Sequence, residues 1–418
     1  MLAARRRVAG LTQEQMAEAL MVAASTVRRW EAGTATPQPW QQPRICRLLG
    51  IAPGQLVAML DVVRRESGGD GAGTPDMEVS PVERRDFMGA ALAGVSLAAV
   101  PTVTAAAPRR VGRSDVERSQ RRVGELRRLD DLQGGAGVYP LVQEEIARVS
   151  KLGTTGTFTQ EVGRGLLALF AELHQCASWA AYDAGRVSMA QVLAQRAATA
   201  AQQAGDRTLA AISLSQLSYL IASGPTPREA VTVADSAQMV AGPAAPPVVR
   251  ALLADRRAWA CARTGDDSGA DRAMGAAQDA HDQRDTWEGE EPAALYWINR
   301  DESMIKVGRC WTELRRPDRA VPVLEHLTVP YGDTHSRARA RYSAWLAGAY
   351  LDAGEVTAAV ASADRALTLS HRTASPRTDG DLRTVLTRFE PYRSRPDVRE
   401  LLDSTRATPP PSPPPVNS

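Results

Sequence analysis

A glycine–alanine–alanine spacing that recurs three times constrains the fold of this chain more than any other feature. Gly185, Ala190 and Ala197 are followed by Gly265, Ala270 and Ala277, and then by Gly354, Ala359 and Ala366, with offsets of five and twelve from each glycine. The seven-residue step alone returns at Ala230/Ala237 and Ala320/Leu327, so the first small positions lie at 190, 230, 270, 320 and 359, spaced 40, 40, 50 and 39. From about residue 111 onward no alternating strand pattern interrupts this recurrence. A repeat of that period is the signature of a helical-repeat solenoid. Residues seven apart share one helix face, and small residues there let the two helices of a hairpin approach closely. Glycine just before them ends the first helix.

The offsets of these small residues are similar to those of tetratricopeptide repeats, with spacings longer than the usual period of about 34 residues. The resemblance implies a tetratricopeptide-like superhelix over residues 111–403. Trp179, Trp259 and Trp345 fall on the first helices and are expected to fill core gaps between repeats. Proteins of similar architecture in Gram-positive bacteria bind short signalling peptides on the concave repeat surface. The resemblance therefore implies an effector here: a peptide, a small molecule or a partner protein. Arg257, Asn299, Arg300 and Glu302, with Arg256, are candidates to line its groove; surface salt bridges and helix caps are the alternative role for the same residues.

Residues 11–33, LTQEQMAEALMVAASTVRRWEAG, carry a second pattern. Thr12 is a good N-cap and Gln15 completes a capping box, so a helix opens there. Met16, Ala17 and Leu20 share one face. After a short break a second helix starts near Ser25, carries Val27 and Trp30 inward, leaves Ser25, Arg28 and Arg29 outward, and stops at Gly33. Two short helices crossed over a tight turn present the second one to the major groove of DNA. Leu11-Thr12-Gln13, Ala17, Ser25-Thr26-Val27, Trp30-Glu31-x-Gly33, then Leu48-Leu49-Gly50-Ile51 and Leu56 resemble the Cro/C1-type (xenobiotic-response-element) helix-turn-helix family over roughly residues 1–64.

That resemblance implies a five-helix, Cro/repressor-like DNA-binding domain. In it Ala23, Ala24, Ser25, Thr26 and Arg28 would meet base edges, while Arg5, Arg6, Arg7, Gln13 and Arg29 would hold phosphates. A homodimer formed through the repeats would set the half-site spacing near one turn of double-stranded DNA. Two positions depart from the family pattern. Met21 stands where glycine is usual, and Ala23 where a serine or threonine cap is usual, so polar readout falls to Ser25, Thr26 and Arg28.

Charge is distributed in keeping with this division. Residues 1–66 carry nine arginines against five acidic residues, whereas the rest of the chain is close to neutral, and the whole has a net charge of +2. A small basic module on a neutral body suits a protein that touches nucleic acid at one end. The 48 arginines against two lysines, Lys151 and Lys306, resemble the coding bias of a high-GC actinobacterial genome.

Between the two patterns lies a Gly/Ser/Pro-rich linker, residues 67–82, followed by a segment that resembles a twin-arginine export signal: Arg84-Arg85-Asp86-Phe87-Met88, an apolar run, and Ala105-Ala106-Ala107-Pro108. The run is mostly Ala, Gly, Ser and Thr, holds Pro101, and has arginine at both ends, so residues 67–110 are expected to be a linker with a helix packed on the next domain, not a membrane span. Residues 404–418 read as a Pro-rich disordered tail.

Cys46, Cys176, Cys261 and Cys310 lie far apart with no histidine at ligand spacing, which excludes a metal motif and fits small apolar residues of a reducing compartment. No G-x-x-x-x-G-K, H-E-x-x-H or G-x-S-x-G occurs. The sequence therefore predicts an all-α, cytoplasmic transcriptional regulator, with neither enzymatic activity nor cofactor. A protein-interaction adaptor with vestigial DNA binding and a membrane-tethered regulator stay open beside it.

Overall fold

In the computed structural model the described residues are 2–20, 22, 24–32, 37, 42–51, 55, 56 and 59 near the N-terminus, and 109–327, 336–371 and 375–407 beyond it. The chain divides into two compact units, Met1–Met77 and Glu78–Ser418. Helices dominate both. The β-type pairing among the described residues is one isolated parallel bridge, between Arg110 and Thr157.

The N-terminal unit contains α1 (Leu2–Val8), α2 (Gln13–Leu20), α3 (Ala24–Glu31) and α4 (Gln42–Leu49). The capping box that opens α2 is formed in both directions: Gln15 N donates to Thr12 Oγ1 at 3.1 Å, and Thr12 N donates to Gln15 Oε1 at 2.8 Å. Met16, Ala17 and Leu20 from α2 meet Val27 and Trp30 from α3 and Leu2 from α1, with Ile45, Leu49, Ile51 and Leu56 closing the core. Met21, Ala23, Gly33 and most of the expected fifth helix lie outside the described residues, as does the twin-arginine-like segment.

The second unit is a run of antiparallel helical hairpins. After α5 (Arg113–Gln133) and α6 (Gly135–Thr155) come α7 (Gln160–Asp183) with α8 (Val187–Ala204), α9 (Arg207–Ala222) with α10 (Ala230–Ala241), and α11 (Pro247–Arg263) with α12 (Asp267–Arg284). They are followed by α13 (Arg300–Glu313) with α14 (Pro317–Leu327), α15 (Ser336–Ala353) with α16 (Val356–Ser370), and then α17 (Pro376–Thr387) and α18 (Pro396–Ala407). The last helix runs past residue 403, into the segment read from sequence as tail. Among the described residues no helix is long and apolar enough to cross a membrane.

The small-residue recurrence marks the contact inside each hairpin. Ala190, Ala230, Ala270, Ala320 and Ala359 lie at or near the start of the second helices and are fully buried. Twelve residues before each stands another small residue on the first helix: Ser178, Ser218, Ala258, Gly308 and Ala347, all buried. Small faces small, so the two backbones close up. Ser178 Oγ and Ser218 Oγ donate to the carbonyls of Ala190 and Ala230, both at 2.8 Å. A Cβ on Gly308 would stand 2.7 Å from Leu324 Cγ, so this close approach needs glycine.

The turns into three of the second helices place Gly185, Gly265 and Gly354 at φ of 78°, 74° and 80°. In the α13–α14 hairpin the equivalent position is Arg315, the non-glycine residue with positive φ, at 54°. A left-handed L-residue costs about 1–2 kcal/mol, partly offset by the backbone entropy that glycine would lose. Arg315 pairs with Asp352 at 2.7 Å, but Asp352 is also held by Arg388 at 2.6 Å. Arg315→Gly is therefore expected to stabilise the repeat unit by about 0.5 kcal/mol, read as a higher urea midpoint; a lower midpoint would show that the ion pair outweighs the strained backbone.

Candidate functional site

Two sites emerge, one in each unit. In the first, α3 presents Ser25, Arg28 and Arg29 to solvent and turns Val27 and Trp30 into the core, as its 3.6-residue period requires. Thr26 is half-buried, and its hydroxyl accepts from Arg29 at 3.4 Å. Ala24 is also half-buried and packs on the hydrophobic core, so it serves the fold where the sequence suggested a base contact.

Arg7 is exposed and Arg5 half-buried, but Arg6 is not available for phosphate. Its guanidinium is buried, donating to Glu31 at 2.6 and 3.3 Å and to the Leu11 carbonyl at 2.8 Å. Gln13 Nε2 also donates to Glu31, at 2.6 Å. Two of the five residues expected to hold phosphates, Arg6 and Gln13, thus bind the last residue of α3, and Glu31 ties α1 and α2 to α3. Burial alone would push the Glu31 carboxyl up; the bonds from Arg6 and Gln13 bring it below the ordinary carboxylate range.

The second site is a cavity of about 510 Å³ on the inner side of the hairpins. Its lining follows from the hairpin register. On four of the five first helices the residue one after the small contact position faces the cavity: Trp179, Tyr219, Trp259 and Arg309. The residue two before it does so as well: Cys176, Gln216, Arg256, Lys306 and Trp345. Positions three apart share a helix face, so when the small residues face the second helix this stripe faces inward. The irregular segment between α12 and α13, which makes one repeat spacing 50 in place of 40, supplies Leu295, Tyr296, Trp297 and Asn299.

Of the five residues proposed from sequence to bind an effector, the cavity brings together three, Arg256, Asn299 and Glu302. Asn299 caps α13, accepting from Glu302 N at 2.9 Å, and Glu302 accepts from the Tyr342 hydroxyl at 2.9 Å. Arg257 and Arg300 are turned away from the lining: Arg257 binds Asp235 at 2.7 Å, and Arg300 binds Asp282 and Asp285 at 2.9 Å each. Arg256, the neighbour of Arg257, does face the cavity. The tryptophans expected to fill gaps between repeats, Trp179, Trp259 and Trp345, line the cavity instead.

Those rings hold guanidinium groups. Arg309 lies 3.4 Å from the Trp259 ring centroid and 4.7 Å from that of Trp345. Arg256 lies 4.3 Å from Tyr219, and Arg377 lies 4.6 Å from Tyr182 and 4.9 Å from Trp179. The Tyr219 hydroxyl accepts from Arg309 at 2.9 Å and from Arg377 at 2.5 Å. Burial would push this phenol up, yet the surrounding arginines hold it well below its ordinary value. Burial pulls the Arg256 guanidinium down to about 10, still protonated at neutral pH.

One buried polar chain contains the residue types of a catalytic triad. Ser303 Oγ donates to Asp255 at 2.8 Å and meets His281 Nε2 at 2.8 Å, and Lys306 Nζ reaches Asp255 at 3.1 Å. Serine stands between histidine and aspartate, whereas the triad has histidine in the centre, and all three residues are buried. These bonds tie α11, α12 and α13 together. Cys46, Cys261 and Cys310 are buried free thiols, and Cys176 is a half-buried one.

The geometry is that of an all-α protein with a helix-turn-helix unit followed by helical hairpins around a cationic, aromatic-lined cavity. Residues 1–60 match the family model of the helix-turn-helix domain. Part of the chain is similar to the crystal structure of BtubC (BKLC) from P. vanneervenii, at 17% identity and a TM-score of 0.35, covering 62% of this chain and 91% of that one. It is also similar to the crystal structure of a Rap protein complexed with Competence and Sporulation Factor, at 13% identity and a TM-score of 0.42, covering 70% of this chain and 87% of that one. No curated protein sequence matches the chain.

Proposed function

We propose that this chain is a sequence-specific transcriptional regulator of the Cro/C1 type. Its α3 reads double-stranded DNA, and its hairpin cavity receives an effector that adjusts DNA binding. The observation that carries this reading is α3 itself: a short helix pinned from behind by Glu31, Val27 and Trp30, with Ser25, Arg28 and Arg29 on its open face. Arg28 is the residue assigned to base recognition, with Ser25 and Thr26 beside it, while Arg5, Arg7 and Arg29 are assigned to phosphates. The protein acts in the cytoplasm as a homodimer, its half-sites set about one turn of DNA apart. An effector changes DNA affinity only if it binds one geometry of that dimer better than the other.

A bidentate arginine–guanine contact is worth about 1–3 kcal/mol of discrimination. Arg28→Ala is accordingly expected to reduce the preference for the operator over a scrambled duplex by about tenfold or more, measured by fluorescence anisotropy at fixed salt with an operator selected from random sequence. Discrimination that survives this change would take base recognition away from α3.

A further inference from the structure

The cavity is lined by seven cationic side chains. Four have carboxylate partners: Arg127 with Glu172, Arg337 with Asp183, Arg341 with Asp381 and Lys306 with Asp255. The other three, Arg256, Arg309 and Arg377, form no salt bridge among the described residues. Asp183 and Asp381 are near enough to feel Arg377, but each is bonded to a different arginine. Asp130 and Glu302 also line the cavity and lower its net positive charge, as an ionised Tyr219 would. Arg256 is 7% exposed, and its Nε has no hydrogen-bond partner among the described residues. Arg377 Nε is in the same condition.

The way these three groups are held decides what they can do. Aromatic rings cover the faces of the guanidiniums, and a stacked guanidinium keeps its N–H donors in the plane, directed outward at its edge. Cation–π contacts therefore stabilise the buried charges without themselves consuming N–H donors, although Arg309 and Arg377 each spend one on the Tyr219 hydroxyl. Two or three such edges around one point match the planar fork of a carboxylate or the oxygens of a phosphoryl group. A cavity of about 510 Å³ is the size of a small-molecule site.

We infer that the cavity binds a small dianionic molecule, a phosphoryl or dicarboxylate compound, gripped by the guanidinium edges of Arg256, Arg309 and Arg377. This deepens the effector reading above and rests on it for the regulatory role, though not for the binding itself.

The test uses the full chain and three probes of one ring size: phenyl phosphate, phthalate and uncharged benzyl alcohol. Binding is read by calorimetry, by tryptophan fluorescence and by the shift in melting temperature of the repeat unit. One or both anions are expected to bind and to raise the melting temperature, and benzyl alcohol is expected to do neither. A stronger response to phenyl phosphate assigns a phosphoryl ligand; a stronger response to phthalate assigns a dicarboxylate. Arg256→Met should weaken anion binding at least tenfold while leaving the melting temperature of the ligand-free protein equal or higher, because a buried unpaired charge is replaced by an apolar chain of similar length. A purely structural Arg256 would give the opposite, a lower melting temperature. Arg377→Gln, on another helix, repeats the test should the first variant fold poorly. Equal responses to all three probes, no response to either anion at millimolar concentration, or unchanged affinity in both variants would overturn the inference. DNA binding is followed in the same samples. Protein that binds DNA but no anion loses this inference alone, and protein that binds anion but no DNA loses the regulator reading alone.

Discussion

Glu31→Ala is expected to unfold the N-terminal unit and abolish its DNA binding while leaving the hairpin unit folded. The substitution leaves the buried Arg6 guanidinium without its carboxylate and removes the acceptor of Gln13 Nε2. Breaking a buried ion pair from one side costs about 3 kcal/mol or more. A unit of this size has a total stability of about 5 kcal/mol. Circular dichroism of the full chain should then lose an early, small melting transition and keep the later, larger one. Glu31→Gln retains an acceptor for both donors and should fall between the two. An unchanged first transition in Glu31→Ala would mean that the apolar core alone holds α1, α2 and α3 together.

The other large effect is expected at Asp183, where the early and late hairpins meet. Asp183 is 3% exposed and accepts from Arg337 at 2.7 Å, from Ser375 Oγ at 3.0 Å and from Gly135 N at 3.2 Å. Residues from α6, α7, α15 and the start of α17 are thus tied to one carboxylate, and Arg337 also donates to the Asp130 carbonyl at 3.2 Å. Asp183→Ala removes the acceptor of a buried hydroxyl and a backbone N–H and leaves the Arg337 guanidinium with the Asp130 carbonyl and, at 3.8 Å, the Asp130 carboxylate, at a cost of about 3 kcal/mol. The expected result is a large fall in the urea midpoint of the hairpin unit. A fall no greater than that of a surface Asp→Ala change would remove the clasp from this account.

The same carboxylate sets an acid limit. Burial alone would push it up, but Arg337 and Arg377, with the Gly135 and Ser375 donors, bring it below its ordinary value. A carboxylate depressed in the folded state contributes stability that is fully present above its unfolded value, near 3.9, and is lost as pH falls through the lower folded value. The difference between wild type and Asp183→Asn should therefore be constant from neutral pH down to about 5 and shrink below about 4.

How much of this was legible in the sequence varies from one element to the next. The capping box of Thr12 and Gln15, the inward Val27 and Trp30 and the outward Arg28 and Arg29 follow from helical period and side-chain chemistry, both local. The alanines at 190, 230, 270, 320 and 359 were legible because close helix approach admits only small side chains. Arg6 was misread as a phosphate clamp. Only packing sets it opposite Glu31, and one step of helix rotation separates it from the exposed Arg7. Arg256 and Arg257 were both candidates and Arg256 is the one that faces the cavity, for the same reason: about 100° of rotation per residue decides between solvent and interior. The 50-residue interval was visible in sequence, and what it hid was the segment that brings Trp297 and Asn299 to the cavity.

The sequence by itself determined the helices, the helix-turn-helix, the hairpin register and the two-part charge distribution. All of these depend on residues a few positions apart along one helix or on a repeat that recurs along the chain. Only the tertiary structure decided which charges meet. Asp183 and Arg337, or Tyr219 with Arg309 and Arg377, come together from different hairpins, and nothing in the local spacing encodes those distances. The inward stripe acquires its meaning the same way. Each hairpin contributes one or two side chains that look unremarkable alone, and the curvature of the array gathers them into a single cationic, aromatic-lined cavity.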